Sequence, residues 1–237
     1  MDRKDVKEIL FDVHGRILLA LIAVLIVFFA YNESVFLTAR NFRILFENMS
    51  ILTLLAIGVH FVLVSGEIDI SFASVLELSA MTAALVSPGN PLMIIAAALL
   101  AALGVGFANG FFTVRTEIPS FLVTLSTMIG VQGIVFLISN YQAVALDNTL
   151  IQDLFYGRFI GGMSNNVFWM IGAIVVAGIV LRYTRFGLWT YRIGGNTKAS
   201  GLMGIPTKRV RFTLFLVSSL LAGLAGLIAV SRSLAAK

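Results

Sequence analysis

The chain has 237 residues, of which 59% are hydrophobic and 12% charged, with a formal net charge of +5 and a mean hydropathy of +0.97. A soluble domain carries roughly 25% charged residues on its surface, so a soluble globular fold is excluded and an all-α, polytopic membrane protein is expected. With no cysteine, a disulfide framework and thiolate metal sites are excluded as well. The two histidines, His14 and His60, stand too far apart in sequence to suggest a metal pair. The pI near 9.8 does not point to nucleic acid. The basic residues cluster in a few loops without interleaved aromatics, a pattern that membrane orientation explains.

In chain order, residues 1–15 form a polar, mixed-charge segment, and the apolar run Ile17–Tyr31 after it has no small-residue cleavage site. This reads as a first span that stays attached, not a signal peptide. Apolar runs then predict seven spans, at 16–32, 44–65, 71–87, 91–114, 120–139, 167–182 and 212–231. Spans 16–32 and 71–87 are at the short end for about 30 Å of hydrocarbon. The longest basic stretch, about 182–211, holds Arg182, Arg185, Arg192, Lys198, Lys208, Arg209 and Arg211, and is expected on the cytoplasmic side. Counting spans backward puts the N-terminus inside, in agreement with Arg3, Lys4, Lys7 and Arg16, whereas Arg40 and Arg43 fall in an outward loop and disagree. Small residues four apart (Gly106 and Gly110, Ser219 and Gly223, Ala222 and Gly226) predict close helix packing within the bundle. The chain stops just past the seventh span, which reads as a C-terminally truncated form of a longer bundle.

The segment SGEIDISF, residues 65–72, places Glu67 and Asp69 between two apolar runs, with no Lys or Arg near in sequence. Burying a charge in lipid is costly, so ionisable residues at membrane depth are functional candidates. Asp69 or Ser71 is expected to open the third span as a helix cap, a role that leaves Glu67 unexplained. Glu77, inside that span, either bonds to a neighbouring helix or lines a watery cavity. His60 is either a pathway residue or a neutral group bonded between helices. Asn109 and Gln132 also sit near mid-span, where polar groups bonded between helices are expected. A Ser65–His60 hydrolase is disfavoured, because residues five apart on one helix point about 140° apart. No Walker-A pattern is present, so the chain does not bind and hydrolyse ATP by that route, and no cofactor, metal site or catalytic residue is expected. In the cytoplasmic stretch, Gly194, Gly195 and Asn196 signal a turn. A short helix is predicted over Thr197 to Met203, capped by Asn196 or Thr197 and ended by Gly204.

These segments together resemble the permease subunits of ATP-binding-cassette importers for monosaccharides, the ribose, xylose, galactose and autoinducer-2 group. The run from Asn41 to Ala80 resembles a stretch ending in T-G-G-I-D-L-S-V-G-S, and EIPSFLVTLSTM is similar to K-I-P-P-F-I-V-T-L-G-M. TRFGLWTYRIGGNTKASGLMGIPTKRVR resembles the family's cytoplasmic loop, and LVSSLLAGLAGLIAVSR its next span. The likeness covers about residues 41–233 and implies a single membrane permease domain over 1–237, with about seven helices. It also implies a second permease subunit, separate ATPase subunits and a periplasmic or lipid-anchored sugar-binding protein, in a bacterial plasma membrane with a cytoplasmic N-terminus. By the same resemblance Gly194, Gly195, Asn196, Ala199 and Gly204 form the ATPase-coupling loop. Ile68 to Ser71 lie near the pore or gate, with Glu67, Asp69, Ser71, Glu77, His60 and Asn109 as pathway candidates. The departures are Glu67 and Ala73 where glycines are usual, His60 and Glu77 where small or neutral residues are, and Thr197-Lys198 and Ser200-Gly201 in the loop. They imply a substrate atypical for the group, a polyol, a sugar acid or another small hydroxylated solute, and within this resemblance Asn109, Gln132 and Glu77 are the mid-span candidates for holding its hydroxyls. The runners-up from the residues alone are a proton-coupled carrier using Glu67, Asp69 and Glu77, and a membrane subunit that does not transport.

Overall fold

The computed structural model describes residues 13–87, 89–116, 118–158 and 162–234. The N-terminal segment 1–12, with its three basic residues, therefore lies outside the described residues. Ten helices follow one another: α1 (Val13–Asn32), α2 (Ala39–Val64), α3 (Phe72–Val86), α4 (Pro91–Arg115), α5 (Ser120–Ser139), α6 (Thr149–Tyr156), α7 (Asn165–Tyr183), α8 (Arg185–Gly195), α9 (Thr197–Leu202) and α10 (Thr207–Leu234). Each of the seven predicted spans corresponds to one of them. Among the described residues six helices are long and apolar enough to cross a membrane, and α3, with 15 residues, is shorter. Two boundaries differ from the sequence reading for a local reason. Thr38 Oγ1 accepts from the Asn41 amide at 3.3 Å and starts α2 early, so Arg40 and Arg43 sit in its first turns and not in a loop. Pro206 precedes the first turn of α10, which takes Lys208, Arg209 and Arg211 into the helix.

Two compact units make up the chain, residues 1–46 and 47–237. In the first, the turn after α1 is closed by Phe29 stacked on Phe36 and by Asn41 Nδ2 donating to the Phe36 carbonyl at 2.8 Å. The second is built around α10, the most buried of the candidate spans among the described residues. Helix α10 packs on α3, α4, α6 and α8. Glycines set the closest of these approaches. A Cβ on Gly106 of α4 would overlap the Ser219 side chain and lie 2.8 Å from the Phe215 carbonyl. One on Gly226 of α10 would lie 2.5 Å from the Leu76 carbonyl and 2.9 Å from Ser79 Cβ of α3. The small-residue spacing thus serves packing inside the unit, where van der Waals contact replaces the hydrophobic drive. Ser79 Oγ adds a hydrogen bond to the Gly223 carbonyl at 2.9 Å.

One end of the unit is organised by a carboxylate that the sequence does not single out. Glu47, buried in α2, accepts from Ser164 Oγ at 2.6 Å and from the Tyr156 hydroxyl at 3.0 Å. Asn166 donates to the Glu47 carbonyl and to Ser50 Oγ. The loop between α5 and α7, with the short helix α6, is held onto α2 this way. Helix α6 starts where Asn148 accepts from the Ile151 amide at 3.1 Å. The opposite end carries a cluster of Phe61, Val62, Ile193, Ile205, Val210, Leu214 and Phe215, which seats α8 and the turn after α9 on α2 and α10.

Two expectations follow. Gly226→Ala forces α3 and α10 apart and costs about 1–3 kcal/mol, whereas Gly104→Ala, with open space around the added carbon, is neutral or slightly stabilising. Thermal denaturation of the two variants in detergent measures the difference. The second concerns Tyr156, whose phenol is pushed above its ordinary 10.0 by burial first and then by its bond to Glu47, with Arg232 pulling the other way. Its raised folded value means the stabilisation is complete below pH 10, where both states are protonated, and is lost as pH rises through the folded value. Stability curves above pH 10 show this slope in the native chain and lack it in Tyr156→Phe.

Candidate functional site

The SGEIDISF segment is the connection between α2 and α3. Helix α2 ends because Gly66 takes φ +83°, a left-handed turn open to glycine, and the Glu67 amide returns to the Val62 carbonyl at 3.3 Å. Residues 67–70 then lie outside any helix, which leaves their peptide groups without helical partners in a membrane protein. Such groups must be satisfied within the protein. Helix α5 does this with two hydroxyls one turn apart: Ser120 Oγ accepts from the Ile68 amide at 3.0 Å, and Thr124 Oγ1 meets both the Ile70 amide and the Ile68 carbonyl at 3.3 Å. The EIPSFLVTLS motif thus has a structural task. Pro119 opens α5, and the hydroxyls that follow it serve as the missing strand partner.

Asp69 is the centre of the segment and is 3% exposed. Its Oδ1 accepts from the Ser71 amide at 2.9 Å and the Ser71 hydroxyl at 2.7 Å, and its Oδ2 accepts from Ser218 Oγ of α10 at 2.8 Å. The cap expected at the start of α3 is therefore an Asx turn supplied by Asp69. Ser71 is the residue at the helix boundary and makes no side-chain cap of its own. The network continues outward: Asn109 Nδ2 of α4 donates to Ser71 Oγ at 2.8 Å, and Thr127 Oγ1 of α5 donates to Asn109 Oδ1 at 2.7 Å. One carboxylate thereby ties together α3, α4, α5 and α10.

Glu67 has a partner that its sequence neighbourhood does not contain. Arg211, in the first turns of α10, forms an ion pair with it at 2.5 Å. The expectation of an unpaired acid is corrected here. The cation comes from a helix 144 positions later in the chain, at a helix start where positive charge is unfavourable unless an anion faces it. Arg211 Nε is buried without a hydrogen-bond partner.

The coupling-loop residues fall beside this segment. Residues 185–195 form a helix, α8, in the basic stretch for which the sequence predicts only a turn at Gly194–Asn196 and a short helix after it. Gly194 in its last turn approaches so closely that a Cβ there would overlap the Val64 carbonyl at the end of α2. Asn196 separates α8 from α9 and caps α9, its Oδ1 accepting from the Ala199 amide at 2.9 Å. Gly204 takes φ +79° and ends that helix, as the sequence predicts. Gly195, Ala199 and Gly204 are exposed.

The remaining candidates are dispersed. Glu77 lies exposed on α3, one turn beyond exposed Ala73. His60 faces a groove between α2 and α7, lined by Thr53, Ala56, Ile57, Ile174, Ala177, Gly178 and Leu181. Ser65 is buried with its hydroxyl donated to the Val62 carbonyl at 2.7 Å. Gln132 is half-buried on α5. The structure brings Asp69, Ser71 and Asn109 together and adds Ser218, Ser120, Thr124, Thr127 and Arg211, which the sequence reading missed. A signal for them exists on α5, where Ser120, Thr124 and Thr127 share a helical face by spacing. Arg211 and Ser218, seven apart, likewise share a face of α10.

A family described as "Branched-chain amino acid transport system / permease component" matches residues 41–237. The chain belongs to this family. It is thus a multi-pass membrane protein of a permease family, in accord with the six helices long and apolar enough to cross a membrane among the described residues. It is 36% identical over 199 residues to the "L-arabinose ABC transporter permease protein AraH" of Azospirillum brasilense, covering 83% of this chain and 58% of that protein. To the "L-arabinose transport system permease protein AraH" of Escherichia coli (strain K12) it is 32% identical over 225 residues, 94% of this chain and 68% of the relative. To the "Ribose import permease protein RbsC" of the same strain it is 30% identical over 203 residues, 83% of this chain and 63% of the relative. The chain thus spans between 58% and 68% of the length of these three relatives. No solved structure matches it significantly.

Removing the carboxylate that joins four helices is expected to cost more than removing any one of its partners. Asp69→Ala strands the Ser71 and Ser218 donors, at roughly 1–3 kcal/mol for each buried group left unpaired. Ser218→Ala removes one inter-helix bond, about 0.6 kcal/mol on average in membranes. Denaturant titration in detergent micelles should rank them in that order, and a double-mutant cycle should give non-additive losses.

Proposed function

We propose that this chain is the permease subunit of an ATP-binding-cassette importer that admits a monosaccharide or a related small hydroxylated solute, its whole length acting as one permease domain. The observation that carries the reading is the direct abutment of the α8–α9 segment on the SGEIDISF connection, through Gly194 against Val64. A movement imposed on an exposed, capped helix pair at one face thereby reaches the polar segment packed among α3, α4, α5 and α10. The names of the relatives support the solute class, since two are called arabinose permeases and one a ribose permease.

On this reading α8 and α9 face the cytoplasm, as does the N-terminus, and separate ATPase subunits dock on Gly195, Asn196 and Ala199. A second permease subunit completes the pathway, a periplasmic or lipid-anchored binding protein delivers the solute, and the assembly sits in a bacterial plasma membrane. The permease itself performs no catalysis. Asp69, Ser71 and Asn109 shape the wall of the pathway near its gate, and Glu77, exposed on α3, offers an acceptor to hydroxyl groups. A carboxylate exposed to lipid at that depth is costly, which favours a watery or subunit-facing position for it. The three acids of a proton-relay reading have different surroundings: Glu67 is ion-paired, Asp69 is saturated by three donors, and Glu77 is exposed.

Gly195 gives a clean test, because open space surrounds it and a large residue there leaves the fold intact. Gly195→Arg is expected to abolish co-purification with the ATPase subunit and uptake of labelled L-arabinose or D-ribose in cells, while membrane level and thermal stability stay unchanged. Undiminished association and uptake in that variant would remove the docking assignment.

A further inference from the structure

The connection between α2 and α3 is fastened to α10 at two points. Glu67 pairs with Arg211, and Asp69 accepts from Ser218. The points are two residues apart along the connection and seven apart along α10, so they form successive clasps on one helical face. They differ in character. The Asp69 clasp is dry, with Asp69 at 3% and Ser218 at 1% exposure, and is locked to α4 and α5 through Ser71 and Asn109. The Glu67 clasp is less enclosed, its side chains being 13% exposed at Glu67 and 21% at Arg211. A single, partly exposed ion pair opens at less cost than a buried carboxylate saturated by three donors.

The charge pattern around Arg211 sharpens the contrast. Lys208, Arg209 and Arg211 all stand in the first two turns of α10, where the helix dipole disfavours positive charge. Glu67 is the acid paired there, so its departure raises the free energy of the arrangement and its return lowers it. Ile205 and Val210 connect the turn after α9 to the same apolar cluster as Ile193 of α8. Displacing α8 and α9 therefore shifts the start of α10 and the end of α2 together.

Resting on the importer reading, we infer that Glu67 and Arg211 form a latch, with the Asp69–Ser218 bond as its fixed pivot, that holds the α2–α3 connection against α10 until movement of the α8–α9 segment releases it. Both are positioning residues: they act on the gate through the connection and touch no solute. Weakening the latch uncouples the gate from the ATPase, so nucleotide is hydrolysed without solute being moved.

The chain has no cysteine, so a two-site thiol probe has no background within the permease, and the reagent's effect on the cysteine-free native permease in the same assembly serves as the control. The permease is purified with its ATPase subunits, reconstituted in proteoliposomes with the binding protein, and assayed for labelled L-arabinose and D-ribose uptake alongside ATP hydrolysis. In Glu67→Gln, basal hydrolysis is expected to rise and solute moved per ATP to fall about fivefold, the population shift that loss of about 1 kcal/mol of bias produces. The double exchange Glu67→Arg with Arg211→Glu is expected to recover most of the coupling ratio. In the pair Glu67→Cys with Arg211→Cys, a reducible bifunctional thiol reagent is expected to stop uptake, and reductant to restore it. That arm needs no ion pair for folding and remains informative where the charge variants are poorly produced. Wild-type coupling in Glu67→Gln, or continued uptake in the cross-linked pair, would overturn the latch and leave the importer reading standing. A native chain that neither binds the ATPase nor moves either sugar overturns the importer reading and the latch with it.

Discussion

A carboxylate buried among membrane helices must find its own donors, and Asp69 finds three. That requirement fixes much around it. Ser71 is turned inward to donate, which places its oxygen where Asn109 can reach it, and Asn109 in turn orients Thr127. Ser218 brings the most buried helix to the same point. The apolar contacts of the bundle are non-directional and tolerate sliding, but this chain of hydrogen bonds has one geometry. It selects a register for α3, α4, α5 and α10 that dispersion forces alone leave open.

The two ends of the second unit use polar chemistry differently. At one end Glu47 gathers Ser164, Tyr156 and the backbone around Asn166, and so pins the long connection between α5 and α7 with its short helix. At the other, backbone contact through Gly194 joins the α8–α9 segment to the α2–α3 connection, and the Glu67–Arg211 pair joins that connection to α10. The first arrangement immobilises a loop. The second joins its elements at a seam that is only partly enclosed, and such a seam suits a moving part.

The spans were legible because apolar runs of sufficient length admit few other readings. Helix α9 was legible from its punctuation, with Asn196 before it and Gly204 after it. Helix α8 was not, because its basic composition resembles a solvated loop and its apolar residues, Phe186, Trp189 and Ile193, show their use only once α10 is there to receive them. The site was half legible. Asp69, Ser71 and Asn109 announced themselves as polar groups in apolar surroundings. Their partners Ser218 and Arg211 lie well over a hundred positions away in the chain, and pairing at that distance leaves no local trace. Glu67 is the clearest case: judged by its sequence neighbours it lacked a counter-ion, and folding supplied one.

Helix α3 has a consequence of its own. Fifteen residues rise only about 22 Å, against roughly 30 Å of hydrocarbon. To cross that thickness the chain needs more than the helix itself, and the non-helical residues 67–70 before it are the nearest length available. Of the helices that match the predicted spans, this one therefore depends most on the residues that flank it, and the polar connection before it becomes part of the span and not merely its entrance.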